Sequence, residues 1–196
     1  MYFNSKNKFY HGIMFHHFHD GKIHTKIQGS LSKDNFAKMI KYIGKENILD
    51  AGEFAEKLKK RTLNKEVCLT FDDAIKCQID IALPILEDFK IKSFFFVPTS
   101  MFQGNPDYLE AFRYFRNNYY EEMNDFYNDF YEITDKDLKP FFKSREKNIS
   151  ELKIKYNFYS LEDIKFRQLR DILLSKNEYE TLMLKLMKKN KVDIKQ

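Results

Sequence analysis

The stretch Val67-Cys68-Leu69-Thr70-Phe71-Asp72-Asp73-Ala74 decides how this chain is read. Its first five residues are apolar, aromatic or β-branched, as in a strand buried within a sheet, and they end abruptly in two adjacent carboxylates. Parallel α/β folds build their sites at the carboxyl ends of strands, which is where Asp72 and Asp73 stand. Neighbouring carboxylates repel each other, and a nearby cation stabilises the pair. One can then ligate a divalent metal while the other stays free as a base. A solvated turn or a helix N-cap would also accommodate two aspartates, so the dipeptide alone leaves both readings open.

Outward from this stretch, short apolar runs alternate with helix-like segments, the pattern of an α/β protein with parallel strands. Further strands are expected at Gly12 to Phe15 and Ser93 to Val97, with a weaker one near Asn47 to Leu49. Ser32 is a candidate N-cap, with Leu31 and Phe36 at the staple positions around it. Asp50 with Glu53 gives a capping-box pattern for a helix to about Lys60. A third helix is expected after Asp73, with Ile75, Ile79, Leu83 and Leu86 on one face and Pro84 marking a kink or a fresh start.

After Pro98 the character changes. Phe102 to Gln196 holds no β-rich run, and Asn105-Pro106 reads as a helix start. Ser160 with Asp163 and Ser175 with Glu178 are further capping patterns. Asp107 to Asp135 has 8 acidic and 2 basic residues, and from Lys136 onward there are 16 basic and 9 acidic. Either adjacent helices neutralise each other, or the basic face meets an anionic partner. Tyr114, Phe115, Tyr119 and Tyr120 suit a buried helix face and could also stack on sugars. The organisation expected is an α/β part over 1–103 and a helical insertion or subdomain over 104–196.

Composition narrows the function classes. At 196 residues and 43% hydrophobic content, with 20 Phe and 12 Tyr, the chain can bury a core and is not disordered throughout. A net charge of +5 is too mild to argue for nucleic acid. No run approaches the roughly 18 to 20 apolar residues of a membrane-spanning helix. Met1 to Tyr10 shows no apolar core of a secretory leader, and two cysteines, Cys68 and Cys77, fit a reducing compartment; a cytoplasmic protein is expected.

Leu69-Thr70-Phe71-Asp72-Asp73 followed by a helix, and then Phe94-Phe95-Phe96-Val97-Pro98, resembles the polysaccharide deacetylase family, the NodB homology domain of carbohydrate esterase family 4. Met14-Phe15-His16-His17-Phe18 looks like that family's first strand, and Gly29-Ser30-Leu31-Ser32 before a helix adds to the match, which covers roughly 12 to 103. The resemblance implies a partial or distorted (β/α) barrel and metal-dependent removal of an acetyl group from an N- or O-acetylated sugar or glycan. By that resemblance Asp72 is the general base, Asp73 ligates a divalent metal such as Zn, Co, Ni or Mn, and His16 lies beside the cleft. His17 and His19 stand two apart, on one side of an extended segment, and join His16 as cleft-lining candidates.

The chain departs from the family in three ways. The His-x-x-x-His pair that completes the family's metal site is absent: the histidines are His11, His16, His17, His19 and His24, all before Asp72. Ala74 stands where the family usually has glycine, and three or four strands are visible where a barrel of this type needs about seven. Two further readings therefore stand beside the hydrolase. One is a truncated or inactive homologue that binds glycan or protein; the other is one part of a split enzyme whose second chain, or a second copy, covers the open sheet edge. Cys68 is read as a small buried hydrophobe.

Overall fold

The strand that carries the two aspartates lies in the middle of its sheet. The computed structural model describes residues 11–104 and 107–193, and the chain divides into two compact units, Met1–Gly104 and Asn105–Gln196. The leader reading of Met1 to Tyr10 and the helix start at Asn105-Pro106 lie outside the described residues. No helix among those described is long and apolar enough to cross a membrane.

In the first unit, β1 (Gly12–Phe15), β4 (Cys68–Phe71) and β5 (Phe94–Phe95) form a parallel sheet of order β1-β4-β5. β2 (Phe18–His19) and β3 (Leu31–Ser32) make a separate parallel pair. Phe15 pairs with Phe71, and Phe71 with Phe95, so aromatic residues share one row across the sheet. Phe71 stacks on Phe95 at 4.7 Å between centroids and on Phe15 at 5.4 Å, with Phe36 of α1 (Lys33–Ile43) edge-on at 6.0 Å. Each buried phenylalanine contributes about 1.5–3 kcal/mol. α2 (Ala51–Lys59) covers the opposite face near Cys68, where Leu49, Phe54 and Leu63 form a second small cluster. Both edges of the sheet are open among the described residues, and no barrel closes there.

Ser32 caps α1, its hydroxyl accepting from the Asn35 N–H. Three local expectations are corrected. Asn47 to Leu49 is not a strand: Lys45–Asn47 is a 3-10 turn, and a single parallel bridge, Ile48 to Val67, ties the segment to the sheet. Asp50 begins α2 without a side-chain cap, because its carboxylate accepts from the Lys92 N–H at 2.8 Å and anchors the entry to β5. The helix after Asp73 buries only part of the predicted stripe: Leu86 is buried and Ile75 packs against the core, with Leu83 half-buried. Its Gln78–Ala82 turn is π-helical, with the Leu83 N–H reaching back to the Gln78 carbonyl, and α3 (Leu83–Asp88) restarts with Pro84 in its first turn. The extra residue rotates the later face, so Ile79 is 52% exposed while Cys77, Gln78, Ile81 and Ile85 are buried.

The second unit is helical: α4 (Tyr108–Asn118), α5 (Met123–Ile133), α6 (Leu138–Ser144), α7 (Glu146–Lys155), α8 (Leu161–Gln168) and α9 (Lys176–Lys189), with a π-turn at Leu169–Leu173. Phe115, Phe126, Phe130, Phe166, Met183 and Leu186 are its fully buried centre. Ser160 caps α8, and Ser175 with Glu178 closes a reciprocal capping box on α9. The acidic and basic stretches meet within the unit, Lys189 of α9 lying 3.7 Å from Asp129 and 3.4 Å from Glu132 of α5.

Candidate functional site

Beyond Phe71 the chain leaves the sheet in a tight turn. The Asp72 N–H donates to the Phe15 carbonyl, and the turn carries Asp73 and Ala74 at φ of 74° and 52°. Both lie in the left-handed region, which aspartate tolerates and alanine resists by roughly 1–2 kcal/mol. This geometry turns both carboxylates toward the end of β1. There the His16 Nε2 stands 3.9 Å from Asp72 Oδ2 and 3.6 Å from Asp73 Oδ2. All three side chains are between a quarter and just over a third exposed, so water and a small ligand reach them.

Gln78, which the sequence reading passed over, fixes this arrangement. It is buried at 1% exposure, and its amide nitrogen donates to the His16 carbonyl at 2.9 Å and to the Asp72 carbonyl at 2.5 Å. One side chain thus ties the ends of β1 and β4 together under the carboxylates, while its amide oxygen meets no donor. The π-turn places it there, six residues beyond Asp72. Pro84 was the available signal, since a proline within a helical pattern disturbs the ladder one turn earlier.

The other histidines are used differently. His17 sits at the β2–β3 junction, where its carbonyl accepts from the Leu31 N–H. His19 Nδ1 lies 2.8 Å from the Ser30 hydroxyl. His24 Nε2 is 2.7 Å from Asp80 Oδ2, which Lys76 also holds. These contacts keep Asp80 below the ordinary carboxylate range, through the Lys76 hydrogen bond first and His24 second. Burial pushes the Cys68 thiol up, away from nucleophilic chemistry.

Residues 59–144 match the model for the family described as Polysaccharide deacetylase. Over these residues the chain is similar to the polysaccharide deacetylase family. The matched span contains β4, Asp72, Asp73, the π-turn and β5, and it runs on past Gly104 into the helical unit. No curated protein and no solved structure matches the chain.

The deacetylase match raises the question of whether the residues present fit a divalent ion. Two ligands of one ion, each about 2.0–2.2 Å from it, stand roughly 3–3.6 Å apart, so His16 and Asp73 are spaced to share one with little movement. Imidazole nitrogen and carboxylate oxygen also suit Zn, Co, Ni or Mn. Among the described residues, however, no group of three or more His, Cys, Asp or Glu converges as a metal cage. The donor set fits the ion in kind and falls short of the roughly three protein ligands that a catalytic zinc site uses.

Proposed function

We propose that this chain is a polysaccharide-deacetylase-like hydrolase that removes an acetyl group from an N- or O-acetylated sugar or glycan, with Asp72 as general base and Asp73 as ligand to a divalent metal. The observation that carries this reading is the cluster of His16, Asp72 and Asp73 at the carboxyl ends of two paired parallel strands, with both aspartates in the segment that matches the deacetylase family. When bound, the ion would supply Lewis acidity to the acetyl carbonyl. Asp73 and His16 would hold it. Asp72, free of any lysine or arginine among the described residues, would take the proton of the attacking water. The partial (β/α) barrel belongs to this reading, as do the cleft-lining roles of His16, His17 and His19. So does a cytoplasmic location, which the buried Cys68 and Cys77, neither of them in a disulfide, support.

One observation favours a second reading: His19 and His24 are committed to Ser30 and Asp80, and among the described residues no group of three or more metal-ligating side chains forms around His16 and Asp73. Among the described residues the sheet is also open at both edges, with Met14 59% and Phe96 54% exposed. On this reading the chain supplies the aspartates of a site that a further segment, a second chain or a second copy completes, or it binds glycan without hydrolysing it.

The deciding experiment is elemental analysis of the purified protein, followed by titration of Zn²⁺ and Co²⁺ into the metal-free protein and into Asp73→Asn. Stoichiometric metal lost on mutation, with acetate released from N-acetylglucosamine oligomers and abolished by Asp72→Asn, is the expected result. Metal affinity unchanged in Asp73→Asn would remove the ligand assignment. Metal bound without acetate release would leave the binding reading.

A further inference from the structure

Three contacts join residues 77–80 to the chain between His16 and His24. The Gln78 amide donates to the His16 carbonyl at 2.9 Å, the Phe18 N–H donates to Cys77 Sγ at 3.3 Å, and His24 Nε2 lies 2.7 Å from Asp80 Oδ2. The first two are internal, since Gln78, Cys77 and Phe18 are all buried. The third is the outer end of the same seam, and it fastens the loop between β2 and β3 onto the π-turn.

The loop is folded so as to present His24 there. Asp20 Oδ1 accepts from the N–H groups of Lys22, Ile23 and His24, and the Asp20 N–H donates to the His24 carbonyl at 3.2 Å. These bonds close residues 20–24 into a turn on the side chain of Asp20. They also hold its carboxyl below the ordinary range, through the His24 N–H first. Lys76 reaches the same oxygen of Asp80 from one turn earlier in the helix. The two cations differ in setting: the His24 side chain is 13% exposed and that of Lys76 76%, so solvent and salt weaken the lysine contact more.

Asp80 and Gln78 stand two residues apart in one π-turn, which the Leu83 N–H closes on the Gln78 carbonyl. A displacement of Asp80 is carried to Gln78 by two peptide units of that turn, and Gln78 holds the His16 and Asp72 carbonyls together. We propose that His24 and Asp80 are positioning residues for the His16, Asp72 and Asp73 cluster, acting through the turn that carries Gln78. This deepens the reading of that cluster as the functional site and rests on it.

The test is amide exchange in the ¹⁵N-labelled, metal-free full chain, read at the Gln78 side-chain amide and the Asp72 N–H. The Leu69 N–H, in the middle of β4, is the reference for the sheet as a whole. His24→Ala and Asp80→Ala are each expected to speed exchange at Gln78 and Asp72 about tenfold relative to Leu69. The double variant should be no faster than either single one, because the same link is broken in all three. Lys76→Ala should change the ratio less, since His24 still holds Asp80. Ser32→Ala removes the cap of α1 and loosens the same unit, yet should leave the ratio unchanged. An unchanged ratio in His24→Ala, additive effects in the double variant, or an equal change in Ser32→Ala would overturn the proposal.

A Zn²⁺ titration of the same variants separates this proposal from the reading beneath it. Affinity several-fold weaker in His24→Ala than in the wild type is expected. Equal affinity would overturn the positioning role and leave the Asp73 ligand assignment standing. A wild-type chain that binds no zinc would remove that assignment, and the exchange ratio would then decide the coupling by itself.

Discussion

The two units treat their carboxylates in opposite ways. In the helical unit, Asp163 is 7% exposed and both its oxygens are committed, one accepting from the Tyr127 hydroxyl and the other from Arg167 Nε, each at 2.8 Å. In the α/β unit, Asp72 and Asp73 stand partly open at a strand end, repelling each other, with His16 as the nearest cation donor at 3.6 Å or more. A carboxylate neutralised inside its own unit holds structure. A pair left uncommitted on a strained turn holds little, and is free to act on something else.

The largest expected effect tests that contrast directly. Asp163→Ala leaves Arg167 and the Tyr127 hydroxyl unpaired beside Arg116, and should cost about 3–5 kcal/mol in urea unfolding. Asp72→Asn and Asp73→Asn should each stay within about 0.5 kcal/mol of the wild type, since neither acid has a committed partner and asparagine also accepts the left-handed backbone at Asp73. Comparable losses at Asp72 or Asp73 would break the comparison, because those acids would then be structural. A smaller loss is expected where the first unit does commit a polar group. Gln78→Leu abandons the His16 and Asp72 carbonyls and should cost about 1–3 kcal/mol, while Gln78→Glu sets a carboxylate against the same two carbonyls and should be no better.

Smaller again, and opposite in sign, is Ala74→Gly. Alanine at φ 52° carries left-handed strain that glycine relieves, offset in part by glycine's greater freedom in the unfolded chain. The net expectation is a gain of about 0.5–1 kcal/mol, read as a higher urea midpoint at unchanged m-value. A loss would mean that the turn owes its shape to side-chain packing rather than to tolerated strain.

Much of this frame was legible in the chain. β4 and its terminal aspartates followed from an apolar run that stops at two charges, and Ser32, Ser160 and Ser175 cap the helices their spacing announced. What escaped depended on partners distant in sequence. Asp50 looks like a capping-box residue until Lys92, from the far side of β4, takes its carboxylate. Ile79 leaves the buried face of the helix after Asp73 because a π-turn adds a residue that hydrophobic periodicity does not register, and the same turn buries Gln78 under the site. The approach of His16 to Asp72 and Asp73 needed the register of β1 on β4, which pairs Phe15 with Phe71.

Acid should produce the smallest effect, with one reporter in each unit. Glu66 is held down to about 2 from an ordinary 4.5 by its hydrogen bond from Lys57 and then by the Asn64 N–H. Glu178 is held down to about 2 from the same value by Lys136 and then by the Ser175 N–H of the capping box. Each carboxyl binds its proton more weakly folded than unfolded. The stability it contributes is therefore complete above about pH 4.5 and is lost as pH falls toward 2. Both groups are solvent-accessible, so the drop at each is modest and shrinks with salt. Glu66→Gln and Glu178→Gln should each flatten the fall in the urea midpoint between those pH values while leaving the neutral-pH midpoint nearly unchanged.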